Sequence, residues 1–439
     1  PGLALDGRTR RLKSHLDYQI RQVSYLENDQ ANDTQNVLNT FNTLELVDDR
    51  LFLDVTGKIG QQSVSAFGAT PGRGFNLDGN RAETSMLQLS PYLKGRFLDR
   101  ITYDLRYRHS LTRVEGDTGA DFTGDQWDAR IGSAIPGTRM SWSLAYDASR
   151  YEYSRQEDRK QDALTGLLTI RATPRLNSSV GVVRDSNDFE NRGASENTGL
   201  ALGVEWRPSA RTSLTASWGE RGYGSAYDLS LNHRFPLTEV RYTLARGVSA
   251  LPANLTYIGY GGLFDLLYAN LATSVPDPDQ RAAQVTKLLA DYGLDPGSTE
   301  TGDYLRNQVT LNTRHSLQWV KRGVRNVLTV NIDRNESSGL TEFDLPIDPV
   351  SGSRRVEQTG VSVSLSHKLS ARSNLSGALT FRKVDGDGGR DSRETNYNVS
   401  YHTLLGQHAT VSASLSRREA EGDRAFDENA LMLMFAYRF

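Results

Sequence analysis

The final stretch of the chain, Asp427 to Phe439 (DENALMLMFAYRF), decides the fold. Successive side chains of a strand point to opposite faces, so Leu431, Leu433, Phe435, Tyr437 and Phe439 share one register, and Ala430, Met432, Met434, Ala436 and Arg438 share the other. The first register is uniformly apolar and needs lipid or a core. Such a strand either closes a membrane barrel or edges a soluble sandwich, and the rest of the chain discriminates.

The same period-two pattern recurs from Leu16 onward. Ile101, Tyr103, Leu105 and Tyr107 alternate with Thr102, Asp104, Arg106 and Arg108, and Met140, Trp142, Leu144 and Tyr146 with Ser141, Ser143, Ala145 and Asp147. Late in the chain Val361, Val363 and Leu365 alternate with Ser362, Ser364 and Ser366, and Val411, Ala413 and Leu415 with Ser412, Ser414 and Ser416. One face is apolar and the other wet. Many of these segments exceed the roughly five or six residues usual for globular strands, and a tilted membrane strand needs about 9 to 11 in lipid alone.

Composition agrees with this class. A mean hydropathy of -0.53 and the lack of any apolar run near the 18 or so residues of a spanning helix exclude a helix bundle in the membrane. They do not exclude a barrel, whose strands show only alternate residues to lipid. The balance of 51 basic and 53 acidic residues argues against a nucleic-acid partner. With no cysteine there is no disulfide framework and no thiolate metal site, which suits an oxidising compartment. The chain starts at Pro1, as it would after removal of a secretory signal or with upstream residues not represented.

Connections of two kinds alternate. Tight turns are expected at Asp48-Asp49, Leu98-Asp99, Ile135-Pro136-Gly137, Thr173-Pro174-Arg175, Pro208-Ser209-Ala210, Phe235-Pro236, Arg322-Gly323, Ser370-Ala371 and Gly406-Gln407. Longer polar connections lie between them, as at Ser65 to Asn80, Glu115 to Gly124, Arg184 to Glu196 and Asn335 to Arg354. Short periplasmic turns and longer extracellular loops are the asymmetry of outer-membrane barrels, and no soluble sandwich requires it. Nine short turns give eighteen strands, and a strand before the first turn and the closing strand make twenty. Gly7 to Arg11 reads as a further turn after a scrap of strand, Leu3 to Asp6. The expectation is therefore an all-β, large transmembrane antiparallel up-and-down β-barrel of about 20 to 22 strands. It has either 20 strands and an N-terminal tail or 22 with its first strands partly missing from this chain.

The barrel is expected to occupy residues 1–439 as a single unit, with one partly helical insertion at 247–301. In PDPDQRAAQVTKLLADYG, Asp277 reads as the N-cap, Pro278 as the first helical residue, Gln280 as the capping-box partner and Gly293 as the stop. Ala282, Val285, Leu288, Leu289 and Tyr292 share one face, and Leu263 to Leu271 reads as a second short helix. On the long-loop side such an insertion acts as a lid, a plug folded into the lumen or a dock for an extracellular partner, or it is a self-packed surface loop.

The segments LVDDRLFLDV (Leu46 to Val55), SPYLKGRF (Ser90 to Phe97) and RPSARTSLTASWGERGYGSAYDLSLNHR (Arg207 to Arg234) resemble the outer-membrane β-barrel family associated with exosortase/PEP-CTERM exopolysaccharide loci of Gram-negative bacteria. The resemblance runs from about Gly2 to Phe439. It implies an outer-membrane location and a part in exopolysaccharide export or biofilm matrix, and it brings no catalytic residues. The carboxyl-terminal Phe439, with aromatic residues two and four positions earlier, also resembles the closing strand that the barrel-assembly machinery recognises.

A search for catalytic chemistry finds little. His15, His109, His233, His315, His367, His402 and His408 lack metal-ligand spacing, and there is no G-x-S-x-G elbow or phosphate loop. Gly259-Tyr-Gly261-Gly262 lacks the strand-to-helix context of a dinucleotide loop, and Asp385 to Asp391 lacks the distal Glu of a calcium loop. Neither a cofactor nor a metal is expected, and the protein does not read as an enzyme.

The wet face offers a passage. Extending the alternation inward points Asp54, Lys58, Asp104, Arg106, Arg108, Asp147, Asp228, Arg234, Arg241, Lys368, Arg382 and Arg438 into the lumen, either as a hydrated sugar path or as ion pairs bracing the wall. Leu431, Leu433, Phe435, Tyr437 and Phe439 are assigned to lipid, with the last two in the periplasmic aromatic girdle. The leading expectation is a porin-like barrel that passes or exports polysaccharide. Its partners would be outer-membrane lipid and lipopolysaccharide, with polysaccharide or periplasmic export components. The alternatives are a plugged barrel that anchors matrix or a filament, and an enzyme at the extracellular rim.

Overall fold

The computed structural model describes residues 2–23, 33–68, 80–116, 121–154, 158–188, 195–249, 304–306, 309–340, 346–348, 350–406, 409–422 and 425–437. Their regular structure is β throughout, apart from one 3-10 turn at Asp387–Gly389. The strands are β1 (Gly2–Arg8), β2 (Leu12–Val23), β3 (Asp33–Val47), β4 (Leu51–Gln62), β5 (Ala82–Phe97), β6 (Ile101–Val114), β7 (Phe122–Ala134), β8 (Met140–Tyr153), β9 (Arg159–Thr173), β10 (Leu176–Asn187) and β11 (Ser195–Ser209). They continue as β12 (Thr212–Arg221), β13 (Gly224–Arg234), β14 (Thr238–Ser249), β15 (Thr310–Arg322), β16 (Asn326–Gly339), β17 (Arg355–Lys368), β18 (Ser373–Gly386), β19 (Asp391–Leu405), β20 (Ala409–Gly422) and β21 (Phe426–Tyr437). Each pairs antiparallel with its neighbours in chain order, from β1 on β2 to β20 on β21, so the sheet is one continuous meander.

The twenty strands expected from the turns are β2 to β21. The scrap at Leu3 to Asp6 is not a tail: β1 pairs with β2 along its whole length, from Gly2 opposite Gln19 to Arg8 opposite Lys13. Among the described residues β1 and β21 share no ladder. Both run in the same sense, because an odd number of strands separates the two ends of the meander by an even number of reversals. The twenty-one described strands fall within the expected range of about 20 to 22.

A short connection joins the strands at each of the nine expected places, although 407–408 lie outside the described residues, and Thr9 to Arg11 adds a tenth. Two of them use left-handed backbone at residues other than glycine. Asp49 has φ 55°, and Leu98 and Asp99 have φ 50° and 55°, conformations whose right-handed twist suits a tight hairpin. Aspartate tolerates this region; Leu98 does so at a steric cost. At the other end the connections are longer, but not all of them: Gly222 and Tyr223 alone join β12 to β13, and 423–425 join β20 to β21. β14 continues through Ser249, opposite Thr310, so the first residues of the expected insertion are strand. The helices expected at Asp277 to Gly293 and Leu263 to Leu271 lie outside the described residues.

The sheet curls. Fourteen strand spacings separate β4 from β18, about 67 Å along a flat sheet at roughly 4.8 Å per strand. Yet Arg382 on β18 donates to the carbonyl of Gly68, just beyond β4, at 3.4 Å. The meander therefore wraps into a barrel wall, and the face carrying Arg382 is the concave one. The convex face shows its apolar side chains to the exterior, among them Leu105, Val182, Trp206, Leu365, Val399 and Leu433, all exposed.

Candidate functional site

The pairing register links the expected lumen residues into one face. Asp54 lies opposite Ser90, Arg106 opposite Tyr92 and Asp128, and Asp128 opposite Asp147. The register continues through Asp228, Arg234 and Arg241 to Lys368 and Arg382. Lys58, Asp104 and Arg108 follow from the same alternation on β4 and β6. This is the concave face, since it carries Arg382. Arg438 and Phe439 lie outside the described residues.

Several of these charges are engaged with one another. Arg106 Nη1 meets Asp54 Oδ2 at 2.9 Å and donates to Ser90 Oγ at 3.1 Å, while Thr43 donates to Asp54 at 2.8 Å. Arg108 pairs with Asp128, and Arg130 with Asp147 at 3.7 Å. Asp228 stands exposed on the concave face. A guanidinium clasped by a carboxylate on the adjacent strand, or for Arg106 across β5 on β4, ties the strands of the wall together, so for Arg106, Arg108, Arg130 and their partners the ion-pair role is the one the geometry displays.

At the long-connection end some described residues of the connections pack inside the barrel. Described residues of three connections, 63–68 between β4 and β5, 304–306 between β14 and β15 and 346–348 between β16 and β17, meet against β17 and β18. Ala66, Phe67, Tyr304, Ile347, Val356 and Val384 form a buried apolar cluster there. Leu305 packs with Val64 and Ala82, and its backbone N–H donates to the Ser63 carbonyl at 2.8 Å. Apolar burial inside a wet barrel shuts out water, and every backbone group drawn in with it must find a partner.

Two buried charged groups supply those partners. Asp348 Oδ2 accepts from Ser65 Oγ at 2.8 Å and from the Ala66 N–H at 2.7 Å, while Oδ1 accepts from the N–H groups of Val350 at 3.1 Å and Ser351 at 2.9 Å. One carboxylate thus ties two connections together. Arg382 Nη2 donates to the Ala66 carbonyl and Nη1 to that of Gly68, while Nη1 also meets Glu394 Oε2 at 3.3 Å. Glu394 is held in turn by Arg418 at 3.4 Å. Arg382 therefore fastens the first connection to the wall formed by β18, β19 and β20. Asn80 completes the fold, accepting from Ser65 N–H and donating to the Ser65 carbonyl.

The sequence pointed to Arg382 through its register, and Glu394 and Arg418 lie on the same wet faces of β19 and β20. Asp348 had no signal of its own, since an aspartate in a polar connection is ordinary until the connection folds inward. The apolar group Met86, Phe122 and Tyr151 on the concave face also departs from a uniformly wet lumen. Outside the strands, Asp387 in the calcium-loop-like segment forms an ordinary turn. Partial burial pushes its carboxyl up, but the N–H groups of Arg354 and Arg355 outweigh this and hold it below the usual range.

No family model and no curated protein matches the chain. Solved structures do. The FrpB iron transporter from Neisseria meningitidis superposes with a TM-score of 0.55 at 9% identity, over 100% of this chain and 78% of that one. BauA, the ferric preacinetobactin receptor from Acinetobacter baumannii, gives 0.53 at 9% identity, over 99% and 77%. At such identity the likeness is one of fold: this chain is a β-barrel of the Gram-negative outer-membrane type.

Proposed function

We propose that the protein is an outer-membrane transport barrel that passes polysaccharide through a hydrated lumen, as part of exopolysaccharide export. The observation that carries this reading is the chemistry of the concave wall on β17 to β20. There Ser364, Ser376, Thr380, Asn398, Ser400 and Ser414, all half-buried, present hydroxyls and amides between the charges of Lys368 and Arg418, partly bonded to each other, as Ser376 to Ser400 at 2.7 Å. Short hydroxyl and amide side chains can exchange hydrogen bonds with sugar hydroxyls and impose little ion selectivity. The resemblance to exopolysaccharide-associated barrels supports the same reading, and the neighbours described as transporters support transit through this fold.

Deletion of the gene, followed by assay of surface polysaccharide, tests the proposal. Lost or reduced export is expected, and unchanged export sinks it. A second reading has its own observation, the buried cluster inside the barrel at the long-connection end: a permanently plugged barrel anchoring matrix. Single-channel conductance separates the two. A barrel that stays closed after deletion of 250–303 and substitution of Arg382 favours the anchor.

A further inference from the structure

The two ends of the barrel differ in charge. The ten short turns together hold nine arginines, Arg10, Arg50, Arg100, Arg139, Arg175 and Arg211 among them, against three acids, Asp48, Asp49 and Asp99. The ten connections at the opposite end hold twenty-two acidic and ten basic residues. The chain as a whole carries a formal charge of -2, so composition hides a strong polarity along the barrel axis. All nine turn arginines are exposed.

The basic character continues from the rim into the lumen. On the last rows of the strands the concave register carries Lys94, Arg96, Arg171, Arg207, Arg234 and Arg322, each on the same face as Arg106 or Arg241. Acidic residues stand among them, Glu205 beside Arg207, Asp104 opposite Lys94 and Glu239 opposite Arg234, but they are fewer. The convex register of the same rows is apolar instead: Leu46, Phe97, Ile170, Trp206 and Leu405 are exposed there. Lipid therefore meets hydrocarbon and rings, whereas the arginines of the strands surround the opening. Short turns of outer-membrane barrels face the periplasm, the side from which an exported chain enters.

We infer that the short-turn mouth is an entrance selective for an anionic polysaccharide, one bearing carboxylates such as uronic acids, which the lumenal arginines bind and align. The inference rests on the transit reading and names its substrate class. Guanidinium groups match carboxylates in bidentate geometry, and a ring of them raises the local concentration of a polyanion through the summed field.

The test uses the full-length barrel in detergent and two probes of equal length, an oligogalacturonate and an uncharged malto-oligosaccharide, with affinity measured by calorimetry. The oligogalacturonate is expected to bind at least tenfold more tightly, and to lose most of that advantage when ionic strength is raised from low salt to about 0.5 M. The triple variant R96Q/R171Q/R207Q is expected to weaken its binding at least tenfold. The rim variant R100Q/R139Q/R175Q/R211Q should stay within threefold. Equal binding of both probes overturns charge selection while leaving polysaccharide transit standing. Absence of binding by either probe overturns the inference, and the export phenotype of the deletion strain then decides whether the transit reading falls with it. If the rim variant instead loses affinity for phosphatidylglycerol vesicles while neither variant changes oligogalacturonate binding, the arginines serve lipid headgroups and the inference is overturned.

Discussion

Replacing Arg382 with methionine keeps much of the side-chain volume and removes three interactions at once. The guanidinium donates to the carbonyls of Ala66 and Gly68 and pairs with Glu394, all in a site where Arg382 is 4% exposed. Hydrogen bonds from a charged donor contribute about 1.5 to 3 kcal/mol each, and stranding a buried partner costs about 3 to 5 kcal/mol. Glu394 keeps Arg418 at 3.4 Å, which offsets part of that loss. The net effect on docking of the β4–β5 connection is therefore about 3 kcal/mol, or on the order of 100-fold in the ratio of docked to undocked states. The chain has no cysteine, so Ala66→Cys introduces the only thiol, at a position with 0% exposure. Maleimide labelling of that thiol reports undocking. In A66C the rate should be slow, and in A66C/R382M about 100-fold faster. Arg393→Met, on the exposed convex register of β19, controls for loss of a charge and should leave the rate within twofold. If R382M also stays within twofold of A66C, the latch does not exist as described.

Other outcomes follow from the same geometry. Leu433 is 72% exposed on the convex face, so Leu433→Arg should destabilise the lipid-reconstituted barrel by about 2 to 4 kcal/mol at mid-membrane, whereas Ser414→Arg, its lumen-register neighbour on β20, should cost under about 1 kcal/mol; denaturant titration in liposomes compares them. Equal costs would mean that the two faces are inverted. Asp387 has a carboxyl held below its usual value in the folded chain, so its contribution is present above the unfolded pKa and is lost as pH falls through the folded one. The unfolding midpoints of wild type and Asp387→Asn should therefore differ more at pH 6 than at pH 3. A constant difference would assign the effect of Asp387 to packing.

Local pattern determined most of the wall. Alternation along each strand sets which side chains share a face, and turn residues such as Asp48-Asp49 and Pro136-Gly137 set where strands reverse; both act over a few residues, so β2 to β21 and the register of Asp54, Arg106 and Arg382 were legible without coordinates. Even the polarity between the two ends is written in the connections, though it becomes visible only once they are sorted by side. The packing of the connections inside the barrel is of another kind. Asp348 meets Ser65 over a separation of 283 residues and Arg382 meets Ala66 over 316, contacts that exist only because the sheet curls until β4 faces β18. No period or motif encodes such a meeting. It depends on barrel curvature and on inward-folded backbone requiring buried donors and acceptors, which only the tertiary structure supplies.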